Sequence, residues 1–155
     1  MDVIKQLNNA IAYIKDNLCG EIDTNKVAKI AICPYDKFKH FFSYMTNMPV
    51  SEYIRKRRLT LAAYELLKGQ EKIIELAVKY GYSSADSFTR AFAKQHGVLP
   101  TEVSEETQLK VYPPVSFYVA INGASELRFR IANIDSIKLR GISKKFSGTA
   151  ADRFE

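Results

Sequence analysis

Cysteine and histidine are scarce in this 155-residue chain, with two of each. Two thiols, Cys19 and Cys33, cannot build a disulfide framework, and His40 and His96 lie too far apart to complete a zinc site with them. Both cysteines sit among apolar residues at predicted helix ends, where buried or idle thiols in a reducing compartment are expected. No stretch approaches the roughly 20 apolar residues that span a bilayer. The opening MDVIKQLNNAIAYIKDN has no basic n-region and no continuous apolar core, so no signal peptide is expected and a cytoplasmic location follows. Also absent are a glycine-rich phosphate loop, a nucleophile elbow and a histidine pair at ligand spacing. Asp36 and Asp86, taken as acids, would sit on exposed helices without burial. Neither an enzyme nor a cofactor or metal is expected.

What is present is an ordinary globular composition, 46% hydrophobic and 26% charged. The length fits one domain, or one domain with a small appendage. Lys and Arg number 23 against 17 Asp and Glu, a formal charge of +6. A polyanionic partner fits this balance, and so does a plain basic surface.

Apolar periodicity predicts a chain of helices. Ile4, Leu7, Ile11, Ile14 and Leu18 form one stripe over residues 2–19, with Asp2 as cap and Gly20 as left-handed stop. Asp23 caps a short helix to about Ala31, burying Val27, Ala28 and Ile30 or Ala31. Pro34 opens the next, to about Thr46, with Phe38, Phe41 and Phe42 inward and Asn47 and Pro49 as breakers. A long helix from Val50 to Lys68 ends at Gly69. Lys72 to Tyr80 ends at Gly81. Ser83 or Ser84 caps a helix to His96, ended by Gly97, and Pro100 opens a final short turn.

After residue 104 the pattern changes. Pro113-Pro114 marks a linker, and VSFYVAI, ELRFRIA and SIKLRGISKKF read as strands separated by turn residues. The expected organisation is a seven-helix, mainly α domain over residues 1–104, a linker over 105–114 and a short β segment over 115–155.

The strongest signal is an internal repeat. Phe38, His40 and Phe42 are followed by Phe88, Arg90 and Phe92 at a constant offset of 50 residues, with Ile32 set against Tyr82. Ala28 and Ala77 are 49 apart, so the second turn gains one residue. Each copy is a short helix, a tight turn and a helix with two aromatics four apart. The small Ala permits a close crossing, the apolar turn residue plugs the angle, and the two Phe anchor the second helix. That is a helix-turn-helix unit, whose second helix is free to enter a DNA major groove. A connecting helix of about 18 residues is roughly 27 Å long, so two recognition helices can lie about one DNA turn apart. The competing reading is a helical hairpin used only for packing, though solenoids normally need at least three units.

These residues resemble the DNA-binding domain of AraC/XylS transcription regulators over positions 8–103. The resemblance rests on SEYIRKRRLTLAAYELL, on IIELAVKYGYSSADSFTRAFAKQHGVLPTEV, and on the shorter KVAKIAICPYDKFKHFFSYMTNMP. Ile74, Ala77, Gly81-Tyr82, Phe88, Arg90-Ala91-Phe92, Gly97 and Pro100 stand in family register. The first unit departs from it, with Pro34 in place of a capping Ser and His40 in place of an Arg on the DNA face. Residues 110–155 are similar to the start of a GyrI-like effector-binding domain. The chain stops at Glu155, where the first repeat's helix should begin, so the expectation is either a truncated regulator that binds DNA without effector control or a fragment of a longer one.

Positions opposite the Phe pairs face the groove. They are Tyr35, Asp36, Lys37, Lys39, His40 and Ser43 in the first unit, and Ala85, Asp86, Ser87, Thr89, Arg90 and Lys94 in the second. The resemblance implies base contacts from Asp36, Lys39, His40, Ala85, Asp86, Thr89 and Arg90. Arg90 can bind guanine O6 and N7 together; Asp86 can accept from cytosine N4 or only hold Arg90. Backbone contacts are expected from Tyr35, Lys37, Ser43, Arg55, Lys56, Ser84, Ser87 and Lys94. Of the four cations at positions 55–58, at least one must face inward, and the resemblance points to Arg57 or Arg58 as a tie between the two halves. The expected partners are double-stranded DNA and RNA polymerase, with no membrane and no small-molecule effector. A monomer on DNA is expected, with a tail-mediated dimer as a variant. The competing function is a protein-binding module or antirepressor that uses the C-terminal strands.

Overall fold

The computed structural model describes residues 3–69 and 71–118, all within a compact unit spanning Met1–Ala120. Six α-helices and one 3₁₀ turn occur among them: α1 Val3–Asp16, α2 Thr24–Ala31, α3 Tyr35–Thr46, α4 Val50–Lys68, α5 Ile73–Lys79, α6 Ala85–His96, and the turn Pro100–Glu102. The seventh helix expected from sequence is that single turn.

Two cores form, and α4 belongs to both. The stripe of α1 (Leu7, Ala10, Ile11, Ile14) meets Val27, Ala31, Phe38 and Phe42, closed by Val50 and Tyr53 from the start of α4. Leu59, Ala62 and Ala63 from its second half meet Leu76, Ala77, Tyr80, Phe88 and Phe92. Each core is thus one helix-turn-helix unit resting on half of the connecting helix. Phe41 is only half-buried at the rim of the first core.

Local chemistry sets the ends. The Asp23 carboxylate accepts from the N–H groups of Asn25 and Lys26 at 2.8 and 3.2 Å, capping α2. Ser84 and Ser87 cap α6 reciprocally, each side-chain oxygen accepting the other's backbone N–H at 3.1 and 3.2 Å. The expected stop at Gly20 is corrected: α1 ends at Asp16, three residues short of the expected end at residue 19. There the Asn17 amide donates to the Tyr13 carbonyl at 2.7 Å and takes over the last-turn acceptor.

The turns of the two units correct the sequence register. Ile32 was set against Tyr82, yet the backbone bonds pair Ile32 with Gly81 and Cys33 with Tyr82. Cys33 N–H donates to Ala28 O at 3.2 Å, as Tyr82 N–H donates to Ala77 O at 2.8 Å. Ile32 and Gly81 are both left-handed, with φ of +54° and +76°. The residue gained in the second unit therefore lies after Tyr82 rather than before it, at Ser83, ahead of the N-caps Pro34 and Ser84. Ile32 does not plug its turn; it is 58% exposed. Tyr82 does plug the second turn, edge-on to Phe88 with ring centres 5.4 Å apart.

Beyond the 3₁₀ turn the chain runs without helix or strand to residue 118. The strand expected from Val115 is therefore absent over 115–118, where the backbone groups of Val115 and Phe117 bond Tyr53 and Asn8 of the helical domain instead. The rest of that strand, and the two expected after it, lie outside the described residues.

Candidate nucleic-acid interface

The recognition helices are fixed by their aromatic pairs. Phe38 and Phe42 of α3, and Phe88 and Phe92 of α6, are fully buried. Four-residue spacing puts each pair on one face, so the opposite face is left to solvent.

On α3, Asp36, Lys37, Lys39 and His40 are exposed and Ser43 is half-buried. Tyr35 is half-buried and stacked on Phe38, with ring centres 6.2 Å apart. Asp36 and Lys39 are engaged with each other. They form an ion pair at 2.7 Å, and the Lys39 ammonium also lies 5.4 Å from the centre of the Tyr35 ring. The hydrogen bond from Lys39 holds the Asp36 carboxyl below its ordinary range, and the same bond raises Lys39.

On α6, Asp86, Thr89 and Arg90 line one shallow, open depression. Asp86 and Arg90 are exposed, and no ion pair joins them among the described residues. Ala85 and Ser87 are half-buried, and Ser87 is engaged with the Ser84 cap. Lys94 is exposed one turn beyond Arg90.

The four cations of α4 divide into two pairs. Arg57 is buried and donates to the Tyr112 carbonyl. Arg58 donates through Nε to the Leu18 carbonyl at 2.9 Å and through Nη2 to that of Gly20. Its guanidinium also lies so close to Gly81 that a Cβ there would sit 2.9 Å from Nη1. Arg58 thereby spans the α1–α2 loop and the second turn, the tie between halves expected of one inward arginine. Lys56 bonds Glu52 at 2.8 Å, and Arg55 lies 4.0 Å from the same carboxylate. Arg55, Lys56 and Lys94 line one cleft with Glu52 and Lys110. Lys110 carried no signal in sequence, because only the fold brings it back to α6.

Among the described residues no helix is long and apolar enough to cross a membrane, and no cluster of metal-ligating side chains occurs. Cys19 is exposed and Cys33 half-buried, and both are free.

A helix-turn-helix domain model matches residues 27–106. The transposon Tn10 TetD protein of Escherichia coli is 35% identical over 95 residues, covering 61% of this chain and 69% of its own. The regulatory protein SoxS of Escherichia coli K12 is 32% identical over 100 residues, covering 63% of this chain and 92% of SoxS. The fold is shared with the DNA-binding domain of AdpA, solved in complex with a target DNA, at a TM-score of 0.55 and 21% identity over 62% of this chain and 86% of that one. The chain belongs to the AraC-type helix-turn-helix family and is a sequence-specific DNA-binding transcription regulator.

Proposed function

We propose that the chain binds duplex DNA as a monomer, with α3 and α6 entering two successive major grooves. The observation that carries this reading is the pair of buried Phe couples on opposite halves of one connecting helix. A 19-residue helix is about 28 Å long, so helices at its two ends match a DNA turn of about 34 Å.

Arg90 is the principal base reader, binding guanine O6 and N7 through its fork. Its availability supports this, since among the described residues no carboxylate is paired with it. Asp86, Thr89 and Ala85 read neighbouring base edges. Asp36, Lys39 and His40 read the first groove, where Lys39 must leave Asp36 to do so. The first unit therefore contributes more to position and affinity than to discrimination. Tyr35, Lys37, Ser43, Ser84, Ser87 and Lys94 contact the DNA backbone, together with Arg55 and Lys56, whose charge Glu52 partly offsets. Bound in this way, the chain acts on transcription through RNA polymerase in the cytoplasm, at the nucleoid. The run of β-branched and aromatic residues beyond residue 118 is proposed to begin a GyrI-like domain, and no effector response is assigned.

Binding measured against salt tests the reading. Log affinity should fall linearly with log salt, by about 0.9 for each phosphate neutralised. An affinity for DNA that does not respond to salt would instead favour the protein-binding alternative.

A further inference from the structure

Residues 110–117 are held along their length by buried or half-buried side chains from both halves of the domain. At one end, the Gln95 amide of α6 donates to the Lys110 carbonyl at 3.4 Å and to the Lys56 carbonyl of α4 at 3.1 Å. Next, Tyr112 N–H donates to the fully buried Thr60 hydroxyl at 3.1 Å, and Tyr112 O accepts from buried Arg57. The Lys56 ammonium lies 4.6 Å from the centre of the Tyr112 ring. Pro113 and Pro114 follow, with no N–H to satisfy and a stiff extended backbone. Val115 N–H then donates to the Tyr53 hydroxyl at 3.2 Å. At the far end the Asn8 amide of α1 grips Phe117 twice, donating to its carbonyl and accepting from its N–H, both at 2.8 Å. The Phe117 ring, 9% exposed, sits edge-on against Phe41 and Phe42 of α3 at 5.8 and 6.2 Å.

We infer that residues 110–117 are a strap that fixes the mutual placement of α3 and α6, and so sets the spacing at which the two half-sites are read. The inference rests on the two-groove reading above. α3 and α6 each pack on α4, so a small flex of that helix would move them relative to one another. The strap crosses the flexing region, with one end bonded to α6 and the other packed on α3. Gln95, Thr60, Arg57, Tyr53 and Asn8 are positioning residues in this scheme. Unlike α4 itself, whose sequence announces a helix, the strap is held by bonds between residues 15 to 109 apart.

The test uses the full chain and a DNA site selected by the wild type from a random pool. Binding is measured to that site, to versions with one or two base pairs inserted between the half-sites, and to each half-site alone. Wild type should lose affinity sharply on insertion. Asn8→Ala, which removes both bonds to Phe117, should weaken binding at native spacing by about tenfold and lose much of the penalty for insertion. Tyr53→Phe removes only the acceptor for Val115 and keeps the ring in the core, so it should show the same trend more weakly. Half-site binding should stay within about twofold of wild type, since neither residue faces DNA. Wild-type spacing discrimination in both variants would overturn the strap, and so would an equal loss on isolated half-sites. Indifference to spacing in the wild type would overturn the two-groove reading instead.

Discussion

Ile32 occupies in the first turn the left-handed position that Gly81 occupies in the second, at φ of +54° against +76°. A β-branched side chain is strained there, whereas glycine is not. The strain is accepted while the side chain is 58% exposed, so little burial offsets it.

Ile32→Asn should therefore stabilise the protein. Asn tolerates the left-handed region and avoids the extra unfolded-state entropy of glycine. A gain of about 0.5–1 kcal/mol is expected, read as a rise in Tm or in denaturant midpoint. A loss of stability would show that Ile32 packs on something its exposure does not reveal.

Gly81→Ala should act in the opposite direction. The new methyl would carry the left-handed cost and meet the Arg58 guanidinium at 2.9 Å. Arg58 cannot easily swing aside, because it is bonded to the carbonyls of Leu18 and Gly20. Destabilisation of about 1–3 kcal/mol is expected in equilibrium unfolding.

Arg90→Ala should reduce binding to the selected site by about 10- to 100-fold and relax preference at one base position. Its side chain is exposed, so Tm should be unchanged. Equal losses on all DNA sequences would make Arg90 a phosphate contact rather than a reader.

Asp36→Asn should release Lys39 from its 2.7 Å ion pair. Non-specific affinity should rise, because one negative charge leaves the DNA-facing side and Lys39 no longer has to break the pair on binding. An unchanged affinity would mean that the pair imposes no cost on binding.

His96 gives a pH dependence. Burial lowers its pKa, the Lys110 charge acts in the same direction, and the bond to the Leu59 carbonyl opposes them. The folded state thus favours the neutral ring. Its stability is complete above the ordinary histidine value of about 6.5 and declines as pH falls below it, until the folded ring also takes up a proton. Tm measured against pH should show this decline, and His96→Gln should flatten it. A decline of the same size in the variant would place its origin elsewhere.

Much of this molecule could be read from its sequence. Val50 to Lys68 was bounded correctly because Pro49 and Gly69 punctuate it, and the Phe pairs marked both recognition helices through their spacing. The turn register was misread because Ile32 is apolar, like the plug Tyr82, while its backbone does what Gly81 does. Position-by-position similarity of side chains could not show a φ angle. The strap is hidden from the sequence for a different reason. Pro113-Pro114 is the signature of a linker, and the bonds that pin Tyr112 and Phe117 reach back 52 and 109 residues, beyond any local pattern. At the interface, exposure followed from the Phe pairs, but the Asp36–Lys39 pair and the placing of Lys110 beside Lys94 depend on rotamers and on the fold.

One chain reading two grooves leaves a specific mark on the DNA. Base-methylation interference on the selected site, combined with the stoichiometry of the complex, detects it. Two clusters of interfering bases about 10 base pairs apart are expected, made by one protein molecule. A single cluster, or two clusters that appear only when two molecules are bound, would rule out the two-groove monomer.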